Sequence, residues 1–168
     1  MQVNLSTITL NKFKAFYDLS QVSDNNDIET SIQLIHILTD KSVAEIEELE
    51  LDEFKAILNS VNYENTDTSS LPVIIEYKAN DKVYKSTNKD TFNFNVKQIN
   101  LLQGIIKANA NNYIEDLAAI IFKPIDEAGN IINDYSDEAI AQRKQELSSV
   151  MTMNILIPYL NLLHKQFK

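Results

Sequence analysis

The sequence predicts an α+β protein that is mainly helical: a helical N-terminal part, a small antiparallel β-hairpin or three-stranded element, then packed helices. Three observations carry this. Apolar residues recur at three- and four-residue intervals along most of the 168 residues, the spacing that places them on one helical face. Alternation at period two is confined to one stretch, residues 73–96. Hydrophobic residues make up 44% of the chain, enough to bury a core.

Each element has a local reason. Thr9 can cap a helix over 10–19 whose apolar face is Leu10, Phe13, Phe16 and Tyr17. The polar stretch 18–27 reads as a loop. Ile28, Ile32, Ile35 and Leu38 mark a helix over 28–38, and Thr39-Asp40-Lys41 a turn. Ser42 and Glu45 have the spacing of a capping box that opens a short helix over 43–49. Asp52 caps the next helix, over 53–61, with Phe54, Ile57, Leu58 and Val61 as its stripe. Residues 63–70 are polar apart from Tyr63 and read as a linker. They divide a helical part, 1–62, from a part holding the hairpin and the later helices, 71–168, although the whole can also form one compact domain.

Val73-Ile74-Ile75-Glu76-Tyr77 and Lys82-Val83-Tyr84-Lys85 flank Ala79-Asn80-Asp81 as a hairpin. Residues 91–96 alternate and read as a third strand. So small a sheet needs a cover, which helices over 99–109 and 112–122 can supply. Pro124 disfavours helix at Lys123 and ends the second of these. A polar loop, 125–135, follows. Ser136 caps a helix over 137–149. The last segment, 150–167, is apolar nearly all round, with Pro158 as a kink point.

Composition excludes most chemistry. Acids outnumber bases by 24 to 15, and Arg143 is the only arginine. With no basic run, the chain lacks the electrostatic footprint of a nucleic-acid binder. The absence of cysteine removes disulfides, thiolate metal sites and thiol nucleophiles. Residues 1–7 carry neither the basic nor the apolar region of a signal peptide, and 150–163 is too short to span a bilayer. Gly104 and Gly129, the only glycines, cannot build a phosphate-cradling loop. His36 and His164 have no partner at metal-ligand spacing. Residues 126–137 lack the ligand order of a calcium loop, with Ile131 and Ile132 where oxygens are needed. We expect no enzyme, no cofactor, no metal site, no nucleic acid and no membrane partner.

Two sets of residues remain as candidate contacts. Met151, Met153, Ile155, Leu156, Tyr159, Leu160 and Leu163 lie on a segment apolar on more faces than one neighbour covers. Such a segment is either a central core helix or a surface for a protein partner or a second copy. Glu45, Glu47, Glu48, Glu50, Asp52 and Glu53 form an acidic cluster, either a solvated helix face or a patch for a basic partner.

Several phrases resemble those of small proteins from tailed phages and prophages of Bacteroidetes, the tail assembly chaperones. They are Ile75-Glu76-Tyr77, Lys82-Val83-Tyr84, Leu117-Ala118-Ala119-Ile120-Ile121-Phe122-Lys123-Pro124, Tyr135, and Leu38-Thr39-Asp40-Lys41-Ser42-Val43-Ala44-Glu45-Ile46-Glu47-Glu48-Leu49. In the last, Asp40 stands where the family phrase carries glycine. The resemblance implies a non-enzymatic protein that binds tape-measure or tube subunits during virion assembly, in the cytoplasm of an infected bacterium. The alternatives are a virion component, as a connector ring or packaged protein, and a phage-encoded module that binds a host protein.

Overall fold

Apolar residues at helical spacing become eight α-helices in the computed structural model, whose described residues are 6–22, 28–60, 68, 71–86, 94, 96–108 and 113–166. They are α1 (Leu10–Val22), α2 (Ile28–Thr39), α3 (Val43–Glu47), α4 (Leu51–Ser60), α5 (Val96–Ala108), α6 (Tyr113–Ile121), α7 (Asp137–Ser148) and α8 (Met153–Gln166). Strands β1 (Glu76–Ala79), β2 (Lys82–Lys85) and β3 (Lys123–Pro124) form one antiparallel sheet with β2 in the middle. The fold is α+β and mainly helical. Among the described residues, no helix is long and apolar enough to cross a membrane.

Local signals place several elements. Ser42 opens α3 through a complete capping box, its hydroxyl accepting from the Glu45 amide while Glu45 accepts from Ser42. Ser136 caps α7 by accepting from the Ala139 amide. Asn80 and Asp81 form the hairpin turn with φ of 49° and 62°. Both lie in the left-handed region that a two-residue turn needs and that Asn and Asp tolerate. The pairing Ala79↔Lys82 and Tyr77↔Tyr84 follows from that turn.

Three boundaries differ from expectation. Helix α1 runs on to Val22, through residues 18–22 of the expected loop, and the Lys14–Asp18 ion pair four residues apart supports the extra turn. Helix α4 begins at Leu51, so Asp52 lies within its first turn beside Glu53 instead of capping it, where carboxylates meet the positive end of the helix dipole. Among the described residues the third paired strand is Lys123–Pro124. Val96 opens α5, while Thr91, Phe92, Asn93 and Asn95 lie outside the described residues. Proline holds Lys123 extended, and its missing N–H is tolerated because β3 is an edge strand. The expected linker, 63–70, lies outside the described residues except for Thr68.

One main core draws on both ends of the chain. It joins Ile8 and Leu10 to Tyr84 of the sheet, to Leu117, Ile120 and Ile121 of α6, and to Met151, Leu156 and Tyr159. The N-terminal segment is strapped to the start of α8: Leu10 N–H donates to Met151 O at 3.0 Å and Met153 N–H to Ile8 O at 2.8 Å. A second, smaller cluster holds only Ile35, Ile46 and Ile57, between α2, α3 and α4.

Candidate functional site

The seven C-terminal candidates are mostly core. Met151, Met153, Leu156, Tyr159 and Leu163 are buried, and Ile155 and Leu160 are half-buried. The reason is the number of neighbours. Phe122 packs its ring edge-to-face on Tyr159 at 5.3 Å. The Tyr159 hydroxyl is fixed by Ile74 O at 2.7 Å and Ser86 Oγ at 2.5 Å. One side of the helix is covered by the core, so these five side chains offer no surface to a partner in this conformation.

Next to that helix lies a buried polar knot built on the end of α6. The last carbonyls of a helix lack intrahelical partners. Here Ala118 O accepts from Phe122 N–H at 2.9 Å, Ala119 O from Arg143 Nε at 2.7 Å, and Ile120 O from Gln98 Nε2 at 3.3 Å. Arg143 also donates from Nη1 to Asp134 O at 2.8 Å, while its buried Nη2 has no partner among the described residues. Lys123 is fully buried and donates to Asn133 Oδ1 at 2.7 Å and Tyr135 Oη at 3.1 Å. Burial, with Arg143 nearby, pushes the Lys123 ammonium down to about 8. Both cations are favoured by the negative end of the α6 dipole.

Glu146 locks the hairpin onto α7. It accepts from Lys82 Nζ, from the Tyr84 hydroxyl, and from Gln142 Nε2 at 2.9 Å. Burial pushes the Glu146 carboxyl up, but these hydrogen bonds together hold it below the ordinary range. A cavity of about 580 Å³ opens beside them, lined by Lys82, Pro124, Asp126, Asp134, Arg143 and Glu146. Lys82 pairs with Glu146, and Arg143 holds Ala119 O and Asp134 O, so both cations tie elements of the fold together.

The acidic cluster divides in two. Glu45 is a capping residue: Ser42 donates to its carboxylate from both N–H and hydroxyl at 2.7 Å, which holds the carboxyl below its ordinary value. Glu47, Glu48, Glu50, Asp52 and Glu53 are exposed, and none pairs with a cation among the described residues. His36 serves the neighbouring turn, its Nδ1 2.6 Å from Lys41 O and therefore donating to it.

Beside these acids the structure opens a groove that the sequence reading missed. Ile32, Leu49, Phe54 and Leu58 are half-buried around Ile46, and the mouth carries Ile28 and Leu51, 70% and 62% exposed. Its volume is about 510 Å³. The cause is geometric: α3 has 5 residues and α4 has 10, too little helix to roof the apolar face of α2. The available signal was an excess of apolar residues on short helices, beyond the three that the small cluster buries. Comparison of the chain with protein-family models, with curated proteins and with solved structures finds no match.

Proposed function

We propose that the protein works by contact, as a non-enzymatic assembly factor of a tailed phage that holds other tail proteins, tape-measure or tube subunits, before they polymerise. It acts in the cytoplasm of the infected bacterium. The observation that carries this reading is the open apolar groove of α2, α3 and α4. Exposed residues as large as Ile28 and Leu51 beside an apolar cleft are the mark of a contact surface.

Asp40 lends the resemblance further support. Its φ is 61°, in the left-handed region, just after the end of α2. That is the position where the family phrase carries glycine, the residue that adopts this conformation most freely. The alternative of a permanent ring subunit drew its contact between copies from residues 151–163, where Met151, Met153, Leu156, Tyr159 and Leu163 are buried, so it loses the support of those side chains.

The test is capture of partners from infected cells by the tagged protein, with mass spectrometry, beside proteomics of purified particles. The expected result is enrichment of tape-measure or tube proteins and absence from finished virions. Stoichiometric presence in particles overturns the chaperone reading in favour of a virion component. Enrichment of host proteins alone overturns it in favour of a host-binding module.

A further inference from the structure

The groove has a floor, a rim and a length, and each restricts what can occupy it. The floor is apolar: Ile32, Leu49, Phe54 and Leu58 around buried Ile46. Its walls are helices. Ridges and grooves on a helix surface accept another helix, whereas an added strand needs an unpaired sheet edge, and the groove's lining residues belong to α2, α3, α4 and the α3–α4 junction. The longer walls, α2 and α4, have 12 and 10 residues. At 1.5 Å per residue they match about three turns of an incoming helix, enough for apolar anchors at i, i+3 or i+4, and i+7.

Charge completes the description. Residues 28–60 hold eight acidic residues against two lysines. Glu47 and one cation, Lys55, line the groove, and Glu48, Glu50, Asp52 and Glu53 stand exposed around the α3–α4 junction, so acids still outnumber bases on the rim. Unpaired acids flanking an apolar cleft favour a basic partner and repel an acidic one. A second copy of this chain, at net charge −9, would bring like charge to the same rim.

We propose that the α2–α3–α4 groove binds one amphipathic α-helix of another protein, apolar along one stripe and lysine- or arginine-rich on its flanks. The proposal rests on the contact reading above and specifies the chemistry of the partner. The incoming stripe covers Ile28, Leu51 and the open side of Phe54, and the basic flanks meet Glu47, Asp52 and Glu53.

The probe is a labelled synthetic peptide of about 14 residues, about 21 Å of helix, with leucines on one stripe and lysines on the flanks. A second peptide carries glutamates in place of the lysines. Both are titrated into the full chain by fluorescence anisotropy and by NMR shift mapping. The lysine peptide is expected to bind at about 1–100 μM and the glutamate peptide at least about tenfold more weakly. That gap should shrink as salt rises from about 0.05 to 0.5 M. Shifts should fall on Ile32, Leu51 and Phe54. Leu51→Glu should weaken binding at least about tenfold with an unchanged melting curve, because the side chain is already exposed.

Equal binding of the two peptides overturns the proposal, as do shifts that map outside the groove. So does a dimer that Leu51→Glu dissociates, since a second copy then fills the cleft. The two readings fail separately. If the Leu51→Glu chain still captures tail proteins, the groove is not the contact and the assembly role stands. If the lysine peptide binds in the groove while no tail protein is captured, the groove stands and the phage role falls.

Discussion

The C-terminal core and the N-terminal corner use similar residues to opposite ends. Around α6 and α8, Ile120, Ile121, Leu156 and Tyr159 are buried, and polar groups among them are tied by hydrogen bonds: Tyr159 to Ile74 and Ser86, Arg143 to Ala119 and Asp134. Between α2, α3 and α4, the buried cluster among the described residues is Ile35, Ile46 and Ile57, and Leu51 stands 62% exposed. Full burial of a large apolar side chain contributes about 1.5–3 kcal/mol, so stability concentrates in the first region. Apolar surface left open in the second stays available for binding. The first region holds the fold, and the second leaves open the apolar surface at which we propose a partner docks.

The largest expected effect breaks the first region outright. A chain ending at Ser149 lacks Met151, Met153, Leu156, Tyr159 and Leu163, all buried. We expect no cooperative thermal transition and no dispersed NMR spectrum. A folded truncated protein with unchanged melting would move the stabilising centre elsewhere. Next in size is Arg143→Met, which keeps an apolar stem but leaves Ala119 O and Asp134 O without their donor. The expected loss is about 2–4 kcal/mol in urea denaturation. A loss below about 1 kcal/mol would show that the knot contributes little to holding α6 on α7.

A smaller effect is specific to pH. Lys123 sits near 8 in the folded chain, below the ordinary lysine value of 10.5, because it is buried. Between these values the unfolded chain binds the proton more tightly than the native chain, so stability rises with pH across this window. One such group gives a slope of at most about 1.4 kcal/mol per pH unit. Below pH 8 the cost of the buried charge is fully present. Above about 10 the sign reverses, since burial raises Tyr77, Tyr84 and Tyr159 and the unfolded chain ionises them first. Urea midpoints from about pH 7 to 9.5 should climb in the native protein and stay flatter in Lys123→Met. Equal slopes would mean that Lys123 is not the titrating group.

What the sequence revealed divides along the same line. Ser42 with Glu45, Ser136, and the Asn80-Asp81 turn were legible because each is satisfied within a few residues. The partner of β2 was not, because Lys123–Pro124 is 2 residues long and pairs across a distance that no local pattern encodes. Arg143 is conspicuous as the only arginine, yet nothing near it in sequence says that it reaches Ala119, 24 positions away. The open groove was hardest. Leu51 and Leu156 look alike at helical spacing, and only the count of neighbours makes one exposed and the other buried. Apolar periodicity shows which residues seek cover, while the tertiary fold decides which of them find it.

The smallest expected effect bears on the rim. Glu47 and Glu48 are exposed and without ion pairs among the described residues. Replacing both with lysine removes repulsion within a segment of eight acids and two lysines, and places a cation at the end of α3, where the helix dipole favours it. The change in unfolding free energy should lie within about 0.5 kcal/mol of zero, with any excess on the stabilising side. Salt should make this difference smaller, since exposed charges are screened. A loss above about 1 kcal/mol would mean that these acids hold the corner together. They would then belong with Arg143 and Glu146 as parts of the fold, and the groove would lose the charged rim proposed to select its partner.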